Sequence, residues 1–320
     1  MIKVGIVGGA GYTAGEMLRI LLNHPEVDVH FVNSLSNAGN KLYSVHEGLF
    51  GETEMDFTDQ LPLEQVDAIF ICSGHGDSKK FLEANNVPER VKIIDLSQDF
   101  RDESNGFVYG LPEVNRERIK NANKLANPGC FATAIQLGIL PLAAKGLIRN
   151  EIHTNGITGS TGAGVKPSST SHFSWRNNNL SIYKAFTHQH LIEINQTIKQ
   201  LQPNFTQEIN FLPLRGDFAR GIFVSSYTEC DLSAEELTAL YKEFYKDAAF
   251  TFVMDANLDL KQVVNTNKAI VHVEKHGNKV LAISAIDNLL KGASGQAVQN
   301  FNLMFGLDET CGLKLKSVAF

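Results

Sequence analysis

The sequence predicts a two-domain α/β protein, with a doubly wound parallel sheet first and an α+β unit with a largely antiparallel sheet second. Three observations predict it. The chain has 320 residues, more than most single hydrophobic cores hold. Its first third alternates apolar strand, small-residue turn and amphipathic helix, the pattern of parallel strands with crossover helices. After Leu147 the strands come in runs, which points to a different sheet.

Composition removes several classes of function. Hydrophobic residues at 43% and charged residues at 20% are ordinary for a globular protein. A formal net charge of −6, with no basic block, argues against a nucleic-acid partner. No stretch of about 18 apolar residues occurs, so no membrane helix is expected, and the N-terminus lacks a signal-peptide core. Cys72, Cys130, Cys230 and Cys311 are far apart and form no CxxC pair. That spacing predicts a reducing, cytoplasmic compartment, no disulfide framework and no metal site.

In chain order, Ile2–Val7 reads as a buried strand, and GGAGYTAGEMLRILL follows it as a glycine turn and helix. Gly8, Gly11 and Ala14 have the spacing of a dinucleotide turn, with Tyr12 and Thr13 between them, in the strand-to-helix context that such a turn needs. The reading is therefore a Rossmann dinucleotide-binding domain. The second strand, Val27–Asn33, ends in Asn33-Ser34-Leu35-Ser36 with no acid for a ribose 2′-OH. This predicts NADP, with Ser34, Ser36 and Lys41 around the 2′-phosphate. Val66–Cys72 and Val91–Leu96 are two more apolar strands. They end in loops carrying His75 and Arg101, where ligands of an open parallel sheet collect.

Beyond Leu147, Ile152–Ile157, Glu208–Leu212, Gly221–Thr228, Phe250–Met254, Ala269–Val273 and Lys279–Ile286 read as strands. Ser233–Asp247 reads as a helix opened by a capping box at Ser233 and Glu236. Residues from about Ala293 to Phe305 form a last helix that returns to the first domain. The expected domains are 1–128 with 292–320, binding the dinucleotide, and 129–291, catalytic and dimerising.

The chemistry centres on LANPGCFATA, Leu125–Ala134. Cys130 follows Asn-Pro-Gly and opens an apolar helix, so its thiol stands where helix N–H groups favour an anion. A buried structural cysteine has the same local sequence. His190 and Glu193, three apart, share a helix face, as a carboxylate orienting an imidazole would. The spacing alone fits an exposed ion pair better. Gly159–Gly164 is a second glycine loop, with Ser160, Gly162 and Gly164 offering an anion site or a mobile connector. Arg215 and Arg220 flank a short turn as candidate anchors for a substrate anion.

Six blocks in order resemble the N-acetyl-γ-glutamyl-phosphate reductase family of arginine biosynthesis, in its longer type. They are GAGYTAGE at Gly9–Glu16, IDLSQDFR at Ile94–Arg101, YGLPEVNR at Tyr109–Arg116, NPGCFATA at Asn127–Ala134, HQHLIEINQ at His188–Gln196, and DNLLKGASGQAVQNFNLMFG at Asp287–Gly306. The resemblance implies a second domain like those of aspartate-semialdehyde and glyceraldehyde-phosphate dehydrogenases, and a homo-oligomer, dimer or tetramer. It implies NADP as cofactor and an N-acyl-γ-glutamyl phosphate as substrate. Cys130 is then the nucleophile, His190 the acid/base and Glu193 its orienting carboxylate. Asn288 holds the nicotinamide carboxamide, and Arg101, Ser160, Arg215 and Arg220 line the substrate. The chain departs from the family pattern at Ala14 and Ile192, in a shortened Asp102–Gly106, and where Leu214-Arg215 replaces a histidine segment. The arginine there raises an N-succinyl acyl group beside N-acetyl. Aspartyl- or aminoadipyl-phosphate reduction, and a non-catalytic nucleotide-binding regulator, are the competing readings.

Overall fold

The computed structural model describes residues 1–318. The chain divides into two compact units. The first comprises Met1–Pro128 and Ala293–Lys314, and the second is built on Gly129–Gly292. From Leu315 the described tail groups with the second unit, where the sequence reading kept 292–320 with the first. The tail has no regular structure and so no periodicity to place it, and residues 319–320 of that reading lie outside the described residues.

The first unit starts with β1 (Ile2–Val7), α1 (Tyr12–Leu21) and β2 (Val27–Asn33). Then come β3 (Ala68–Ile71), α2 (Asp77–Ala84), β4 (Lys92–Asp95), β5 (Val108–Tyr109), α3 (Pro112–Lys120) and β6 (Lys124–Ala126). All six strands are parallel, in the order β2-β1-β3-β4-β6-β5. The order reverses between β1 and β3, where a doubly wound sheet opens its ligand crevice beyond the strand ends. β3 is buried along its whole length, as a strand covered on both faces must be. β5 and β6 have two and three residues and carried no strand signal; YGLPEVNR supplies β5 and, with Pro112 at its start, α3.

The second unit begins with α4 (Cys130–Ala144) and β7 (Ile152–Thr158). It continues through α5 (Phe173–Arg176), β8 (Ser181–Ile182), α6 (His190–Leu201), β9 (Ile209–Arg215), β10 (Ile222–Glu229), α7 (Ala234–Tyr245), β11 (Thr251–Val253), β12 (Ala269–His276) and β13 (Lys279–Ile286). The sheet runs β11-β12-β13-β10-β7-β9-β8. Four pairings are antiparallel, and β11–β12 and β7–β9 are parallel. The expected capping box is present: Ser233 Oγ accepts the Glu236 N–H and Glu236 returns a carboxylate to the Ser233 N–H. Helix α4 lies buried from Phe131 to Ala143. Its carbonyls are tied by Ser284 Oγ to Ala134 at 2.6 Å and by Tyr241 Oη to Gly138 at 2.7 Å. That anchoring fixes where the helix starts, at Cys130.

The chain then returns to the first unit as α8 (Ser294–Met304), every residue of it buried. Ser294 Oγ donates to the Thr13 carbonyl at 2.7 Å and Asn300 Nδ2 to the Gly110 carbonyl at 2.8 Å. These bonds tie α8 to the glycine turn and to the loop after β5.

Candidate active site

Cys130 is the first residue of a 15-residue helix whose N-cap, Gly129, offers no side-chain cap. The first-turn N–H groups and the aligned peptide dipoles therefore favour a thiolate, or an oxyanion, at this end. Gly129 N–H donates to Glu193 Oε2 at 3.0 Å, and Glu193 Oε1 stands 3.9 Å from His190 Nε2. Glu193 and His190 are 4% and 6% exposed, so the exposed ion pair allowed by spacing is ruled out. One carboxylate thus faces both the backbone before the cysteine and the imidazole at the start of α6. The 3.9 Å separation is charge–charge contact, longer than a hydrogen bond.

His188, two residues earlier, lies outside α6. Its ring meets His190 at 4.6 Å, Phe131 at 5.6 Å and Tyr183 at 5.8 Å. Its Nδ1 accepts the His190 N–H at 3.2 Å. Burial, with Lys184 adding to it, pushes the His188 imidazole down to about 4, so it stands neutral at physiological pH as an acceptor and packing surface. Gly292 borders the cysteine closely. A Cβ there would come 2.9 Å from Cys130 Cβ and 2.6 Å from the Asn288 carbonyl, so only glycine fits.

A second cluster joins Gly159–Gly164 to the turn before β10. The N–H groups of Gly159, Ser160 and Thr161 donate to the carbonyls of Gly221, Phe218 and Ala219. The loop is therefore a bound turn, and fewer of its N–H groups are available to an anion than the sequence predicts. Asn288 accepts the Gly221 N–H at 2.6 Å and donates to Thr161 Oγ1 at 2.9 Å. Its amide is a tie between two loops first, with one donor and one lone pair left over. Arg220 makes a two-pronged contact with Asp287, which is fully buried and also accepts N–H groups from Asn265 and Leu289. This guanidinium is held by an acid 67 residues away, of which sequence spacing gives no sign. Ser160 borders this turn; a Cβ at Gly162 would stand 3.5 Å from Thr158 Oγ1 and 3.9 Å from Asn288 Nδ2, whereas Gly164 has open space about its α-carbon.

In the first unit, Gly8 has a φ of +78°, and a Cβ there would strike Ser73 N at 2.9 Å. Only glycine lets β1 turn into α1 at this point. Gly11 caps α1 with no side-chain hydrogen bond, and Ala14 is fully buried beneath the turn. Tyr12 is exposed, and Thr13 is half-buried. The uncapped N–H groups of α1 and the open space at Gly11 suit a pyrophosphate. At the end of β2, Asn37 Nδ2 donates to Ser34 Oγ at 3.1 Å and to Ser36 Oγ at 3.0 Å. Both serine O–H groups are then left as donors, Ser36 at the surface and Ser34 buried. Lys41 is drawn away, paired with Asp56 at 3.0 Å and bonded to the Glu54 carbonyl. Arg101 is 7% exposed and donates to the carbonyls of Asn127 and Leu96. These bonds tie Arg101 to the end of β4 and to the segment after β6. His75 Nδ1 accepts the Gln98 N–H at 3.2 Å and so joins two loops at the sheet's ligand edge.

With this geometry in hand, comparison with known proteins is decisive. A family model described as semialdehyde dehydrogenase, NAD binding domain, matches residues 3–122, and one described as semialdehyde dehydrogenase, dimerisation domain, matches residues 130–288. The N-acetyl-gamma-glutamyl-phosphate reductases of Phocaeicola vulgatus and Parabacteroides distasonis are each 62% identical over 322 aligned residues, covering 100% of both chains. The chain belongs to the N-acetyl-γ-glutamyl-phosphate reductase family. Among solved structures, aspartate semialdehyde dehydrogenase with NADP from Candida albicans superposes with a TM-score of 0.76 at 14% identity, over 95% of this chain and 99% of that one. A probable aspartate-semialdehyde dehydrogenase from Pseudomonas aeruginosa gives 0.74 at 17%, over 95% and 98%. These two share the fold. The family is one of oxidoreductases with a nucleotide-binding domain, so a non-catalytic regulator is not the reading to pursue.

Arg176 and Tyr183, which sequence reasoning does not single out, stand near these groups, Tyr183 meeting the His188 ring. They lie in a serine- and asparagine-rich stretch that reads as a connector. The structure orders it by seating Arg176 Nη2 on the Thr158 carbonyl at 3.0 Å.

Proposed function

We propose that this chain reduces an N-acyl-γ-glutamyl phosphate to the N-acyl-glutamate semialdehyde and phosphate, in arginine biosynthesis, with NADPH as reductant. The observation that carries the reading is Cys130 at the uncapped start of α4, with Glu193 reaching both Gly129 and His190. The first unit is read as the dinucleotide domain and the second as the catalytic and dimerising one.

The chemistry follows from these groups. Cys130 sulfur attacks the γ-carbonyl carbon, the C–O bond to phosphorus breaks, and phosphate leaves a thioester. His190 takes the thiol proton and Glu193 holds the resulting charge. When bound, the dinucleotide supplies hydride to a carbonyl carbon. The oxygen of the reduced thioester is received by α4's N–H groups and protonated by His190. His190 takes that proton back as the C–S bond breaks, which releases aldehyde and thiolate. Gly8, Gly11, Tyr12, Thr13 and Ala14 are read as the pyrophosphate turn, and Ser34 and Ser36 as donors to a 2′-phosphate. Asn288, Gly162 and Gly164 are read as a border for the nicotinamide, and Ser160 as a contact to the substrate.

The relatives' names carry an N-acetyl group, and that is the acyl group read here first. Homo-oligomerisation is supported by the matched dimerisation domain and by the outer sheet face, where Ile157, Leu212, Leu214 and Phe223 are only half-buried and Tyr227 is exposed. No disulfide joins the cysteines, as a cytoplasmic setting requires; no helix among the described residues is long and apolar enough to cross a membrane.

The test is phosphate-dependent reduction of NADP⁺ with N-acetylglutamate semialdehyde. Turnover that requires both phosphate and Cys130 supports the reading. Turnover only with aspartate semialdehyde, or none with any semialdehyde, overturns it.

A further inference from the structure

Two guanidiniums in the second unit lie close enough for Arg176 to feel the charge of Arg215. Arg176 is 8% exposed, and its Nε is buried without a hydrogen-bond partner. Arg215 lies with its guanidinium 4.1 Å above the Tyr183 ring and donates weakly to Ser181 Oγ at 3.4 Å. Among the described residues neither arginine makes an ion pair within 4 Å. Asp217, the nearest acid in sequence, is exposed and accepts the Asn178 N–H at 2.6 Å. Burial first and the neighbouring Arg215 second weaken the charged form of Arg176, and Tyr183 and Asp217 offset this only in part. A buried cation beside another cation is costly unless an anion completes it.

The pair is joined to the cysteine's surroundings by touching rings. Tyr183 lies under Arg215 and meets His188 edge-on at 5.8 Å, and His188 meets His190 at 4.6 Å. Burial chiefly, and the Cys130 charge after it, push the Tyr183 hydroxyl up from its ordinary value. An anion held by the two forks would therefore be separated from the histidine pair by one ring, that of Tyr183. The reacting phosphate belongs at Cys130, so the anion for the arginines is a carboxylate, the planar group that a guanidinium holds with two parallel bonds.

We infer that Arg176 and Arg215 form a carboxylate subsite for the N-acylglutamate, with Arg176 as its buried floor and Tyr183 as the plate that orients Arg215. The inference rests on the proposed reductase reading. The carboxylate has two sources on such a substrate: the α-carboxylate of every N-acylglutamate, or the terminal carboxylate of a dicarboxylic acyl group such as N-succinyl.

The experiment compares kcat and KM for N-acetyl- and N-succinyl-glutamate semialdehyde in wild type, Arg215→Leu, Arg176→Leu and Arg176→Lys. Wild-type turnover is measured first, so that failure of the reductase reading shows separately. Losing the contact is expected to raise KM about tenfold to a hundredfold with kcat little changed. An equal rise for both substrates assigns the subsite to the α-carboxylate, and a rise confined to N-succinyl assigns it to the acyl end. Arg215→Leu leaves the buried floor in place and serves as the decisive variant if Arg176→Leu does not fold. Unchanged KM for both substrates in Arg215→Leu, or a fall in kcat alone, overturns the subsite.

Discussion

Glu193 Oε2 accepts the Gly129 N–H at 3.0 Å while its other oxygen stands 3.9 Å from His190 Nε2. The same carboxylate fixes the backbone that presents Cys130 and supplies the charge that favours an imidazolium on α6. Removing the charge should therefore alter protonation, and removing the oxygen should alter geometry. Glu193→Gln keeps an acceptor for Gly129 and loses the charge. Its pH–rate profile for kcat/KM should shift the limb assigned to His190 toward lower pH, with kcat reduced about 10²-fold or more. Glu193→Ala should add a loss of thermal stability. An unmoved profile at normal rate would return Glu193 to a purely structural role.

Cys130→Ser should abolish turnover and leave dinucleotide affinity within about twofold, because the turn at Gly8–Ala14 belongs to the other unit. Equilibrium binding of NADPH checks the second half. Turnover near wild type would remove Cys130 as nucleophile.

The parts of the molecule that could be read from sequence are those whose cause is local. A glycine forced to positive φ at Gly8, a capping box at Ser233 and a proline at the first turn of α3 write their geometry into a few neighbouring residues. Cys130 and the His190–Glu193 pair were legible for the same reason. What is not legible has the opposite cause. The partners of Arg220 and Arg101, the Asp287 carboxylate and the Asn127 carbonyl, come from distant parts of the chain. Arg176 was invisible because its burial is created by β7 and not by its own stretch. Partners brought by topology leave no periodicity at the residue they capture.

Cofactor choice is expected to favour NADP over NAD, since β2 ends without an acid and Asn37 donates to two serine oxygens, leaving their O–H groups as donors. Asn37→Ala frees those hydroxyls to turn and should lower kcat/KM with NADP several-fold while changing NAD less. A preference for NAD in wild type would show that the serines do not read the 2′-phosphate.

Gly292→Ala tests how closely the cysteine is packed. The added methyl would stand 2.9 Å from Cys130 Cβ and 2.6 Å from the Asn288 carbonyl, so the start of α4 must shift. Overpacking of this kind costs about 1–3 kcal/mol. The alkylation rate of Cys130 by iodoacetamide should fall together with kcat. A variant with normal stability and normal alkylation would mean that the helix start has room to move.

The last prediction concerns pH and His188. Burial, with Lys184 adding to it, holds this imidazole down to about 4 in the folded chain, against the ordinary 6.5 when unfolded. The unfolded state therefore binds a proton first. His188 contributes its full stabilisation above pH 6.5, and that contribution is lost as the pH falls toward about 4, below which both states are protonated and no further change comes from this group. A shift of this size corresponds to roughly 3 kcal/mol. Carboxylates titrate at the lower end of the same window, so the measurement is a difference. Urea unfolding of wild type and His188→Phe is followed from pH 7.5 to 4, and the gap between them should change in favour of the variant as the pH falls, mostly between about 6.5 and 5. The rings of Phe131, Tyr183 and Phe211 around His188 accept a phenyl group, so the variant should remain folded at neutral pH. Parallel stability curves for the two proteins would show that His188 is protonated as readily in the fold as outside it.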